Sequence, residues 1–115
     1  MKKKYIYITS ELEAFHKWKQ APEEVKFLRN LHRHRFIIKV CIEIGKEREL
    51  EFFMVKWRLN TFLKNYSRKI VGSCERIAES ILEWCRKNYG KERNYFIEVS
   101  EDGENGVILT TDNKT

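Results

Sequence analysis

The stretch His32–Ile44, HRHRFIIKVCIEI, decides the fold. Its apolar residues recur at every second position, with Phe36, Ile38, Val40, Ile42 and Ile44 on one face. A period of two marks a half-buried strand; a helix would repeat every three or four residues. The same reading assigns His34, Lys39 and Glu43 to the other face, together with Ile37 and Cys41. A strand covered on one side calls for a partner strand beside it and a second layer above it.

The flanking segments supply both. Residues 4–15 read as a first strand, in which Tyr5, Tyr7 and Thr9 alternate with Ile6 and Ile8. A loop over 17–30, with room for one short turn, contains the single proline, Pro22. Beyond the long strand, Gly45 to Arg48 should turn the chain and 49–53 should pair back. Two helices follow. Val55, Leu59, Phe62, Leu63 and Tyr66 share one stripe over 53–66. Cys74, Ile77, Ala78, Ile81, Leu82, Cys85 and Tyr89 share another over 74–89. Ser73 suits the N-cap of the second helix and Gly90 its C-terminal stop. A strand at 94–101 leads into EDGENG, where Asn105-Gly106 is placed to take positive φ, and 107–111 returns as the last strand. The order strand, strand, helix, helix, strand, strand predicts an α+β fold, an antiparallel sheet with two helices on one face, in a single domain over residues 1–115.

Composition narrows the setting. With 42% apolar and 35% charged residues the chain reads as soluble and globular, and no apolar run approaches the length of a spanning helix, so no membrane partner is expected. The basic start, MKKKYIYITSELE, lacks the apolar stretch and cleavage site of a secretion signal. Three cysteines without CxxC spacing predict no disulfide framework and a reducing, cytoplasmic compartment. Cys74 and Cys85 fall on the apolar stripe of the second helix and read as core; Cys41 reads as a small filler. The net charge of +6 is carried by residues 1–72. It favours anionic partners, but a solvated Lys/Arg surface explains it equally, and nucleic-acid binding, resting on charge alone, ranks last. Trp18, Trp57 and Trp84 read as core or interface anchors rather than base-stacking platforms.

All three histidines lie in the first third of the chain. On a strand, residues i and i+2 point to the same side, so His32 and His34 can aim two imidazoles at one point. His16, at the end of the neighbouring strand, could supply a third. Three imidazoles on one side of a tetrahedral zinc leave one position open. The residues alone also admit a plainer reading, in which His32 and His34 are polar residues at a strand start and His16 is unrelated.

Taken in order, five segments resemble the motifs of the tunnelling-fold enzymes 6-pyruvoyl-tetrahydropterin synthase and 6-carboxy-tetrahydropterin synthase. Those enzymes carry FxAAH, HGHNY or HGHxF, DFxxLK, PTxENxA and VxET. This chain has LEAFH (12–16), HRHRF (32–36), EFFMVK (51–56), SCERIA (73–78) and VSED (99–102). The resemblance covers nearly the whole chain and implies the tunnelling fold (T-fold). It implies zinc on His16, His32 and His34, and it places Glu101 where the family's glutamate anchors a pterin. A carboxylate can accept two parallel hydrogen bonds from the amino and ring N–H groups of a 2-amino-4-oxo-pyrimidine edge, which pterins and guanine share. The resemblance further implies a homo-oligomer, a trimer or a hexamer, whose sheets join edge to edge with the pocket at the seam.

The chain resembles a divergent branch of that family. Leu28 stands where the synthases have a cysteine base. The connection KNYSRKIVGS (64–73) contains no Asp-His pair, and Arg33 replaces the glycine of HGH. The metal set and the ring anchor are kept and the usual acid–base set is not. Three activities are consistent with that pattern. One is a lyase acting on 7,8-dihydroneopterin triphosphate by an altered mechanism, with a zinc-bound water, Glu13, Glu51 or Cys41 moving protons. Another is a zinc-assisted hydrolase of a guanine-containing nucleotide, with Arg29, Arg33 and Arg35 on its phosphates. The last is a binder that holds the ring without turnover.

Overall fold

In the computed structural model, which describes residues 2–113, β1 (Lys4–His16) and β2 (His32–Ile44) pair antiparallel along their full length. The register runs from Lys4 opposite Ile44 to His16 opposite His32. A short 3-10 helix, Glu23–Arg29, occupies the connection. Then come α1 (Phe52–Tyr66), α2 (Cys74–Tyr89), β3 (Tyr95–Glu101) and β4 (Asn105–Thr110). The sheet order is β1-β2-β3-β4, antiparallel throughout, and the architecture is α+β.

The alternation read from the sequence sets the layers. Ile6, Ile8 and Leu12 of β1, Phe36, Ile38, Val40 and Ile42 of β2, and Tyr95, Ile97 and Val99 of β3 are all buried. They form one cluster with Val55, Leu59 and Leu63 of α1 and Ile77, Ile81, Leu82 and Cys85 of α2. Both helices therefore cover the same face, α1 against β1 and α2 against β3 and β4. Ser73 caps α2 as expected, its Oγ accepting the Arg76 N–H at 3.2 Å. Gly90 ends it at φ 107°, a conformation open to glycine. Cys74 and Cys85 are buried, and burial pushes the Cys85 thiol up to about 12. Among the described residues no helix is long and apolar enough to cross a membrane.

Three expectations are corrected. His34 lies on the same face as Phe36, not on the opposite one: it is two residues from Phe36 along β2, and their ring centroids are 6.0 Å apart. Residues 49–53 form no strand. β2 already has β1 and β3 on its two edges. Glu49 instead curls back to accept N–H bonds from Gly45 at 2.7 Å and Lys46 at 3.3 Å, and it pairs with Arg93 at 2.6 Å. Glu51 then caps α1, accepting from the N–H groups of Phe53 and Met54. The β3–β4 turn takes its positive φ at Asp102 (57°) and Gly103 (77°), not at Asn105-Gly106. The Glu104 N–H closes it onto the Glu101 carbonyl at 3.0 Å, the pattern of a primed hairpin turn. Of the tryptophans, Trp18 and Trp57 are exposed, and Trp84 stacks on Phe62 with centroids 5.7 Å apart.

The far side of the sheet is bare. Tyr5, Tyr7, Phe15, Phe96 and Ile108 are exposed there, and β1 is a thirteen-residue edge strand.

Gly106 has a role the sequence did not indicate. A Cβ at this position would lie 2.1 Å from the Val99 carbonyl oxygen and 2.6 Å from the Ser100 Cα. Both are backbone atoms of the paired strand and have no rotamer to retreat into. Gly106→Ala is expected to destabilise the fold by about 1–3 kcal/mol, read by urea denaturation. Equal midpoints for variant and wild type would show that β3 and β4 are not packed this closely.

Candidate metal centre

The β1–β2 register builds the site. His16 lies directly across from His32, and His34 lies across from Ala14. All three side chains emerge at the open end of the covered face, just past Phe36. Ring centroids are 4.4 Å apart for His16 and His32, 5.2 Å for His16 and His34, and 4.9 Å for His32 and His34. One ligand nitrogen from each ring lies within 4.8 Å of the other two. His16 is only 9% exposed.

Each ring is fixed by an oxygen on its Nδ1 side. The His16 Nδ1 meets the Gly72 carbonyl at 3.1 Å, and the His32 Nδ1 meets the Asn30 carbonyl at 2.8 Å. The His34 Nδ1 meets the Asp102 Oδ2 at 2.8 Å. A carbonyl or carboxylate oxygen can only accept, so each Nδ1 carries the proton and donates it. When a ring is neutral, that leaves its free lone pair on Nε2. The Nε2 atoms of His16 and His32 are buried with no hydrogen-bond partner. Buried polar atoms are rarely left this way, and a set of oriented, unpartnered imidazole nitrogens is what a metal ligand set requires. The residues present fit a metal ion.

The backbone explains each oxygen. The Val71 N–H donates to the Phe15 carbonyl at 2.9 Å, which pins the α1–α2 connection across the end of β1 and sets the Gly72 carbonyl over His16. Asn30 is two residues before His32, so that contact is local. Asp102 sits in the β3–β4 turn. Its N–H donates to the Arg35 carbonyl at 2.7 Å, while its Oδ1 accepts the Arg35 N–H at 3.1 Å. These bonds draw its carboxyl below its ordinary value, His34 contributing most and the Arg35 N–H next. Sequence reasoning missed Asp102. Its one signal was its place directly after Glu101.

Glu101 ends β3 opposite Phe36, on the covered face. Its Oε2 lies 3.2 Å from the His16 Nε2 and 3.7 Å from the His34 Nε2. Cys74, in the first turn of α2, stays a thiol: burial, then the negative charge of Glu101, pushes it up to about 11. The suggested proton carriers lie elsewhere. Glu13 is exposed on the far side of the sheet, 3.9 Å from Arg33, Cys41 shares that outer side, and Glu51 caps α1. The three arginines are likewise engaged away from the cluster. Arg33 faces Glu13, Arg35 faces Glu11 at 3.9 Å, and Arg29 donates to the Ala21 carbonyl at 2.9 Å.

No protein-family model matches the chain, and no curated protein matches it.

Two outcomes are expected. Burial, aided by His32 and His34, holds the His16 imidazole below its ordinary 6.5 against the opposing pull of Gly72 and Glu101. The unfolded chain thus takes up this proton at higher pH than the folded chain, and stability of the metal-free protein rises with pH through that window. Thermal melts from about pH 8 to about pH 5 should show a falling midpoint, with a shallower fall in His16→Gln. Separately, Asp102→Ala should weaken metal binding roughly 10- to 100-fold in chelator competition, and Asp102→Asn, which keeps an acceptor oxygen, should restore part of it. Unchanged affinity in the alanine variant would remove Asp102 from the centre.

Proposed function

We propose that the chain is a zinc-dependent, pterin synthase-like protein that holds a pterin or guanine-type ring beside its three-histidine centre. The observation that carries this reading is the convergence of three oriented imidazoles, each with its Nδ1 already bonded to oxygen. Zinc, when bound, would draw in and polarise an oxygen of the ligand. His16, His32 and His34 would hold it. Glu101, whose side chain is 32% exposed, lies at the same end of the sheet and can accept the paired N–H donors of a 2-amino-4-oxo-pyrimidine edge. The strand and helix order supports assigning the domain to the tunnelling fold. The long β1 edge and the bare outer face support a homo-oligomer in which copies join edge to edge.

Within this reading, holding the ring is favoured over cleaving its side chain. A lyase needs groups that remove and deliver protons beside the ligand, and Glu13, Glu51 and Cys41 all lie away from the histidines.

Purified protein should contain about one zinc per chain, and His32→Ala should contain none. Equilibrium dialysis should show binding of neopterin and guanosine but not of adenosine, which lacks the 2-amino-4-oxo edge. Incubated with 7,8-dihydroneopterin triphosphate, the protein should return it unchanged by mass. Wild type without zinc would defeat the metal reading; side-chain cleavage would make the protein a lyase.

A further inference from the structure

The position of Glu101 leads beyond a ring anchor. We propose that Glu101 is a fourth protein ligand of the metal centre, closing the position the histidines leave open, and that a ring ligand opens it by capturing the same carboxylate. This rests on the metal-binding reading above.

Geometry carries it. Ligand atoms about 2.0–2.1 Å from a tetrahedral zinc lie about 3.3 Å from one another. The Glu101 Oε2 stands 3.2 Å from the His16 Nε2 and 3.7 Å from the His34 Nε2, spacings close to the edges of that tetrahedron. The contact with His16 is not a hydrogen bond, since that Nε2 has no partner. The protons of both rings are on Nδ1, donated to Gly72 and Asp102. With both rings neutral, two lone pairs and a carboxylate oxygen face one point. Acceptors gathered in this way repel one another unless a cation joins them.

The backbone holds the carboxylate in place. Glu101 is the last residue of β3 and Asp102 the first of the turn, and Asp102 is bonded to both Arg35 and His34. One acidic residue thus orients His34 from its Nδ1 side while its neighbour faces the Nε2. Partial exposure leaves Glu101 within reach of an incoming ligand. A ring edge with two parallel N–H donors requires both carboxylate oxygens, so Glu101 cannot serve the ring and the metal in full at once. Ring and metal then compete for it, and each weakens the other's hold on it by the same factor.

The test uses the full chain loaded with cobalt(II), whose visible spectrum reports coordination, and azide as the probe of an open position. The wild-type spectrum should be unmoved by azide. In Glu101→Gln, which keeps the shape of the side chain, azide should shift the spectrum and cobalt affinity should fall roughly tenfold or more. Guanosine added to wild type should make it responsive to azide. Circular dichroism melts confirm that the variant is folded. A wild type that answers azide without guanosine, or that matches the variant's cobalt affinity, overturns the fourth ligand and leaves the three-histidine centre standing. An azide-silent wild type that guanosine does not open overturns the exchange. A wild type that takes up no cobalt, like a His32→Ala control, overturns this inference and the metal reading together.

Discussion

The register between β1 and β2 is the constraint on which everything else depends. A slip of one residue would turn every side chain of one strand to the other face. It would bury Tyr5 and Tyr7 in place of Ile6 and Ile8, and it would send His16 to the side away from His34. What resists the slip is the core itself. Ile6 opposite Ile42, Ile8 opposite Val40 and Leu12 opposite Phe36 fill the layer beneath the helices. Hydrophobic burial worth about 1.5–3 kcal/mol per large side chain thus aligns three imidazoles that contribute little apolar burial of their own.

That division of labour runs through the site. The apolar interior sets where the strands lie, and backbone oxygens set how the rings turn. Gly72 and Asn30 act through carbonyls, so their side chains take no part in the contact. Asp102 acts through its carboxylate. The centre is accordingly more sensitive to the path of the α1–α2 connection and the β3–β4 turn than to the identity of most residues in them.

Much of this was legible in the sequence, and the failures have physical causes. Alternation over 32–44 and the stripes of α1 and α2 gave the elements within a residue or two, because burial imposes those periods directly. Ser73 and Gly90 marked the ends of α2, because capping is local chemistry. Periodicity does not reveal which strand lies beside which. The neighbour relation of β2 and β3 both denied residues 49–53 a partner and brought Asp102 to His34. The turn was read as glycine-driven at Gly106, yet that glycine answers to the closeness of the Val99 carbonyl, a contact between strands. The misplaced face of His34 was a matter of parity that the HxH spacing to His32 and the step to Phe36 should have decided.

The bonds that orient His16 and His34 join residues 56 and 68 positions apart. Closing loops of that length costs on the order of 3–4 kcal/mol of chain entropy each, so the two rings can be aligned only once the distant segments have docked. The orientation of the centre is therefore a tertiary property and not a local one. An ion seated on β1 and β2, and reaching Glu101 of β3, would bridge the same separations in the native chain and not in the unfolded one. In a chain whose three cysteines are all free thiols, such an ion would act as the cross-link that ties its last quarter to its first.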